Sequence, residues 1–170
     1  MNRRRFLQVS ALGSMGLAVA LVVGEHTLGR TLPDGLTQSL SLVVLSPSES
    51  TTLRAVALRV LDGATPSATL DGGAAICQFV DRYLASLPVG LRRDVRALLH
   101  LVELFPLAQL RMSRFSHLRT DEQDALLSSW QDSRLALLRQ GFQGLKSLCC
   151  LAHYQDARSF ASIGYSGPLL

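Results

Sequence analysis

The chain has 170 residues, enough for one domain with a hydrophobic core and too few for two ordinary ones. Its net charge of +4 suggests a nucleic-acid binder, but Arg3, Arg4 and Arg5 supply most of that excess. Without residues 1–24, 14 of the 17 basic residues face 13 acidic ones, and no basic stripe with interleaved aromatics remains, so nucleic acid is excluded as an expected partner.

The chain opens Asn2-Arg3-Arg4-Arg5-Phe6-Leu7-Gln8. A twin-arginine export signal has a polar residue, two arginines, any residue and then Phe-Leu, often followed by lysine. Arg3, Arg4, Phe6 and Leu7 occupy its defining positions, with Asn2 and Gln8 as tolerated departures. Val9 to Gly24 is a modestly apolar stretch softened by Ser10, Gly13, Ser14 and Gly16. A charged start followed by a short apolar run is a targeting segment and takes no part in the fold. An ordinary secretory signal also begins basic, but the paired arginines with Phe-Leu at this offset favour the twin-arginine route. The expected location is the periplasm or the periplasmic face of the inner membrane. Phe6 to Gly24 also approaches the ~20 residues that span a bilayer, so residues 1–24 are either a cleaved signal or a retained anchor.

Residues 25–45 read as a linker, with Leu40 and Leu42 to Leu45 as a short extended piece lying against the core. Ser46-Pro47-Ser48-Glu49 is a capping box with proline at the first helical position. Leu53, Val56, Ala57, Val60 and Leu61 follow at helical spacing, and Asp62-Gly63 ends the run. A second helix, capped near Asp71, sets Ile76, Phe79, Val80, Tyr83 and Leu84 on one face, and Pro88-Val89-Gly90 breaks it. The third carries Val95, Leu98, Leu99, Val102 and Phe105, with Pro106 kinking or restarting it. Thr120 with Gln123 forms a second capping box, opening a helix through Leu126, Leu127 and Trp130. The last helix runs from about Ser133 to His153, with Leu135, Leu138, Phe142, Leu145, Leu148 and Cys149 inward. No stretch alternates with period two for long enough to form a sheet. Residues 46–170 are therefore expected to be an all-α domain, an irregular bundle of five or six helices with an extended C-terminal tail.

The chemistry-bearing residues form no recognisable catalytic, cofactor or metal motif. Cys77, Cys149 and Cys150 include no Cys-x-x-Cys pair. In an oxidising compartment, Cys77 could form a disulfide with Cys149 or Cys150, one of the three could bond to a partner, or all three could be small buried apolar residues. His26, His100, His117 and His153 lack ligand spacing, and His100 with Glu103 three residues on reads as a surface pair. Asp121, Glu122 and Asp124 lie in a helix's first turn, where acids offset the dipole. Neither a nucleophile elbow nor a glycine-rich phosphate loop is present.

Two stretches carry a resemblance. The first is the end of the chain: Phe142-Gln143-Gly144-Leu145-Lys146, then Leu151 to Phe160 through His153-Tyr154-Gln155-Asp156, then Ile163-Gly164-Tyr165-Ser166-Gly167-Pro168. The second holds Leu53, Val60 and Pro66, then Ala75 to Leu84 with Asp81. Together with the leader, this resembles the gluconate 2-dehydrogenase subunit 3 family over most of residues 46–168. His153 stands where that family usually has a tyrosine, and Phe160 where a tryptophan is common. The resemblance implies a non-catalytic small subunit of a membrane-associated, FAD-dependent dehydrogenase acting on sugars, alcohols or sugar acids. It also implies a large partner of the glucose–methanol–choline type, which holds the FAD, and often a cytochrome c subunit. The chain itself would then hold no cofactor. Tyr154, Phe160, Gly164, Tyr165, Gly167 and Pro168 become the expected partner contacts, although the same aromatics could close the bundle's own core. Two further expectations compete. One is an envelope enzyme whose His100, His117 or His153 converge with acids on a metal or small molecule. The other is a membrane-tethered scaffold.

Overall fold

The computed structural model describes residues 42–61, 73–156, 159–160 and 164, which belong to one compact unit spanning Leu40 to Leu170. Residues 1–41, with the export signal and most of the linker, lie outside the described residues, as do Asp62-Gly63, Pro66 and Asp71. The chain forms α1 (Pro47–Val60), α2 (Ala74–Ser86), α3 (Val89–Ala108), a 3-10 turn (Phe115–His117), α4 (Thr120–Gln131) and α5 (Ala136–Tyr154). No strand occurs among the described residues, so the all-α expectation holds for this region.

Helix α1 is the hub of the bundle, touching every other helix and the 3-10 turn. Its start follows from the sequence. Glu49 N donates to Ser46 Oγ at 3.3 Å, Ser46 N donates to Glu49 Oε2 at 2.7 Å, and Pro47 takes the first helical position, where no N–H is needed. Leu53, Val56 and Ala57 are fully buried against Ile76, Cys77, Val80 and Leu84 of α2, Leu99 and Val102 of α3, Leu126, Leu127 and Trp130 of α4, and Phe142, Leu145 and Cys149 of α5. Burying one such aliphatic side chain is worth about 1.5–3 kcal/mol, and this single cluster supplies most of the driving force for the bundle.

Several boundaries differ from expectation, each for a local reason. Helix α2 starts after Gly73, whose φ of 80° no side-chain cap accompanies. Arg92 closes the α2–α3 corner by donating to Ala85 O at 3.0 Å and Leu87 O at 3.1 Å, a cation set on carbonyls at the end of α2. Pro106 does not restart α3; the helix runs on to Ala108, because a proline near the end leaves few bonds to lose. The capping box expected at Thr120 and Gln123 lies one residue earlier: Arg119 N donates to Glu122 Oε2 at 3.1 Å, Thr120 is already helical, and buried Gln123 donates instead to Phe115 O at 3.0 Å. Helix α5 begins at Ala136, not Ser133, since Ser133 Oγ accepts from Leu135 N at 3.1 Å and holds a turn there. Leu135, expected inside, is therefore exposed. Tyr83, expected on the inner face of α2, is 38% exposed and stacks on Phe79 at 6.2 Å.

The piece before α1 bends rather than running extended. Leu45 is buried while Val43 is exposed. Asp81, buried on α2, fixes the bend: Val43 N donates to its Oδ2 at 2.7 Å, and Val44 N and Leu45 N donate to its Oδ1 at 2.9 and 2.8 Å. A carboxylate that accepts three backbone N–H groups satisfies donors that a bent, half-buried chain would otherwise leave unpaired.

Candidate functional site

The densest polar arrangement lies between α1 and α3. The Glu49 side chain is 1% exposed, and its Oε1 takes Arg96 Nε at 2.8 Å and His100 Nε2 at 3.1 Å, while Oε2 takes Ser46 N. Burial pushes the carboxyl up, but the hydrogen bonds from His100, Arg96 and Ser46 outweigh it and hold the group at about 2, against an ordinary 4.5. Seven residues beyond Arg96 on α3, Glu103 makes the second contact. Thr52 Oγ1 donates to its Oε2 at 3.0 Å, Ser116 N to the same oxygen at 3.1 Å, and Ser116 Oγ to Oε1 at 2.6 Å. Glu49 thus joins α1 to α3, and Glu103 adds the 3-10 turn. A carboxylate held near 2 with both oxygens occupied is a weak base at neutral pH, and this arrangement suits alignment of helices better than proton transfer.

This corrects the expectation for His100. Its carboxylate partner is Glu49 on α1, 51 residues earlier, and not Glu103 on its own helix. His117 is exposed in the 3-10 turn, and buried His153 meets Tyr154 edge-on at 5.1 Å near the end of α5. His100, His117 and His153 therefore lie on different elements, and no group of three His, Cys, Asp or Glu side chains among the described residues could hold a metal ion. The acids of the first turn of α4 make exposed pairs, Asp121 with Arg119 at 3.2 Å and Glu122 with Arg111 at 3.3 Å; Asp124, one turn on, pairs with the half-buried Arg59 at 3.6 Å.

The three cysteines are thiols here, with Cys77 and Cys149 buried and Cys150 half-buried. Cys77 Sγ donates to Ser50 O at 3.4 Å. Burial, and after it the neighbouring Cys150 and Cys77, push the Cys149 thiol up to about 12. Cys77 lies on α2, and Cys149 and Cys150 lie on α5, the two helices packing against each other.

Of the expected partner contacts, Tyr154 is 46% exposed, Phe160 is half-buried, and Gly164 is exposed with φ 67°. Tyr165, Gly167 and Pro168 lie outside the described residues, as do Arg3, Arg4, Phe6 and Leu7. Buried Ser159 closes a turn just beyond α5, its N and Oγ both donating to Asp156 O at 2.9 and 2.8 Å. Sequence reading missed the role of Glu49 beyond its cap, the anchoring by Glu103 and Asp81, and a run of exposed residues from Leu107 to Met112. Among the described residues, no helix is long and apolar enough to cross a membrane. In comparisons with protein-family models, curated proteins and solved structures, nothing matches this chain.

Proposed function

We propose that this chain is a non-catalytic small subunit that escorts and stabilises a FAD-dependent dehydrogenase, oxidising a sugar, alcohol or sugar acid, through twin-arginine export. The observation that carries the reading is the sequence at its two ends. Arg3-Arg4-x-Phe6-Leu7 opens the chain, and a helix ending in His153-Tyr154 followed by Gly164-Tyr165-x-Gly167-Pro168 closes it, in the order that resembles gluconate 2-dehydrogenase subunit 3. The helical character of the residues between them is compatible with that resemblance.

The physical logic is one of cargo. A flavoprotein must close around its FAD before it leaves the cytoplasm, and the twin-arginine route carries folded proteins. A large subunit without a signal can leave bound to a small one that has it. FAD then belongs to the partner, a cytochrome c subunit completes some such complexes, and the translocase is a transient third partner. The exposed Tyr154 and the tail beyond it are the expected contact with the large subunit.

Paired substitution Arg3→Lys and Arg4→Lys, followed by fractionation, tests the reading. Retention of both this chain and a flavin-dependent dehydrogenase activity in the cytoplasm is the expected result. Normal envelope dehydrogenase activity with this chain stranded in the cytoplasm would overturn the escort role.

A further inference from the structure

Helix α3 ends in a way that its sequence does not favour. Leu110 N donates to Leu107 O and Arg111 N to Pro106 O, both at 3.0 Å, the paired bonds of a Schellman cap. The residue after such a helix end takes a left-handed conformation, usually as glycine; here it is Leu110, with φ 62°. A leucine in that region costs roughly 1–2 kcal/mol. Nothing in the core offsets the cost, because Leu110 is 93% exposed and Met112 is 99% exposed. Leu107 adds a third apolar side chain at 40%.

The surrounding charge points to what meets these tips. From residue 104 to residue 120 the sequence has no aspartate or glutamate; of the arginines in that span, Arg119 pairs with Asp121 and Arg111 with Glu122 just beyond it, and Arg114 has no acid within the span. Arg114 is exposed. Arg111 and Glu122 are both more than 40% exposed, and a solvated pair of that kind is worth little and exchanges readily for another anion. Three apolar side chains are too few for the ~800 Å² that each partner gives to a stable protein interface. They suffice for shallow insertion between lipids, where an apolar tip flanked by basic residues is held by burial and by headgroup charge together.

We propose that the turn from Leu107 to Arg114 is a membrane-contact loop, placing Leu110 and Met112 among the acyl chains of an anionic lipid surface with Arg111 and Arg114 at its phosphates. The proposal stands apart from the escort function, since it needs no flavoprotein. It gives the helical domain its own contact with the membrane, separate from the export signal.

The test uses the full chain carrying Met112→Trp, with vesicles of phosphatidylglycerol and phosphatidylethanolamine bearing brominated acyl chains. Trp130 is fully buried and serves as a constant background, so quenching reports the new indole alone. The expected result is quenching that falls roughly tenfold in lipid affinity when Leu110→Gly is added, the loss of one apolar side chain from the bilayer. Arg114→Gln should weaken it by roughly fivefold, as for one basic residue at an anionic surface. Leu110→Gly relieves the left-handed strain, so an unchanged or raised thermal midpoint separates lost lipid contact from lost fold. An unquenched indole on vesicles that still carry the chain would overturn the proposal, assigning membrane binding to the N-terminal segment. So would an indole shielded by a co-purifying protein and unaffected by lipid.

Discussion

Along α3, Arg96, His100 and Glu103 meet α1 across a seam where each carboxylate oxygen has a donor, while the turn that follows the same helix holds Leu110 and Met112 in water. The two regions reverse the usual assignment of polar and apolar surface. In the first, a buried carboxylate, Glu49, and a half-buried one, Glu103, have a donor on every oxygen. In the second, apolar surface is exposed and set on a strained backbone. The seam is organised for the fold, because removing Arg96 or His100 takes a donor from the buried Glu49 carboxylate, and removing Glu49 leaves both of them and Ser46 N without that acceptor. At Leu110 the left-handed backbone would suit a glycine better, and its side chain makes no core contact in return.

The sharpest way to break the comparison is at Glu49. Glu49→Ala takes the shared acceptor from Arg96, His100 and Ser46 N, and should destabilise the domain by about 2–3 kcal/mol in urea unfolding. A loss below about 1 kcal/mol would mean that the seam is ornamental.

Acid titration gives the next largest effect. Glu49 is held at about 2 in the folded chain against an ordinary 4.5, so its folded value is depressed. The stability it contributes is therefore fully present above pH 5 and is lost as pH falls from about 5 toward 2. On the order of 2 kcal/mol should disappear across that window, and Glu49→Gln should flatten that part of the profile.

Leu110→Gly should move stability the other way, raising it by about 1 kcal/mol, because glycine takes the left-handed region without a Cβ clash. Met112→Ser should change stability by less than about 0.5 kcal/mol, since its side chain stands in water. A substantial loss from either substitution would place the turn with the seam and remove the contrast.

How far the fold was legible depends on the range of the interactions that make each element. Ser46-Pro47-Ser48-Glu49 is a four-residue device, and α1 begins where it says. The periodic apolar positions Val80, Leu84, Leu99, Val102, Phe142 and Leu145 are buried, since each was set by helical spacing within its own segment. The register slip at Thr120 has a different origin: Glu122, not Gln123, reaches back to a backbone N–H, and the residue it caps is an arginine, which capping preferences do not suggest. The late start of α5 came from a turn closed by Ser133, a side-chain bond that competes with the helix.

The candidate site was less legible because its partners are distant in sequence. Glu49 reads as a cap, yet Arg96 and His100 lie 47 and 51 positions away. Asp81 reads as one acid on a helix, yet its three N–H donors lie 36 to 38 positions before it. The local pairing of His100 with Glu103 was natural at that spacing, and it failed because α1 offered Glu49 to the histidine and Thr52 to the glutamate.

The most direct test of the central claim is purification of the tagged full chain from the cell envelope, with an absorbance scan of the eluate. The escort reading expects a large flavoprotein to co-purify with the chain, its flavin bands visible and its dehydrogenase activity retained. A colourless chain eluting alone, from cells in which the envelope dehydrogenase remains active, would contradict it.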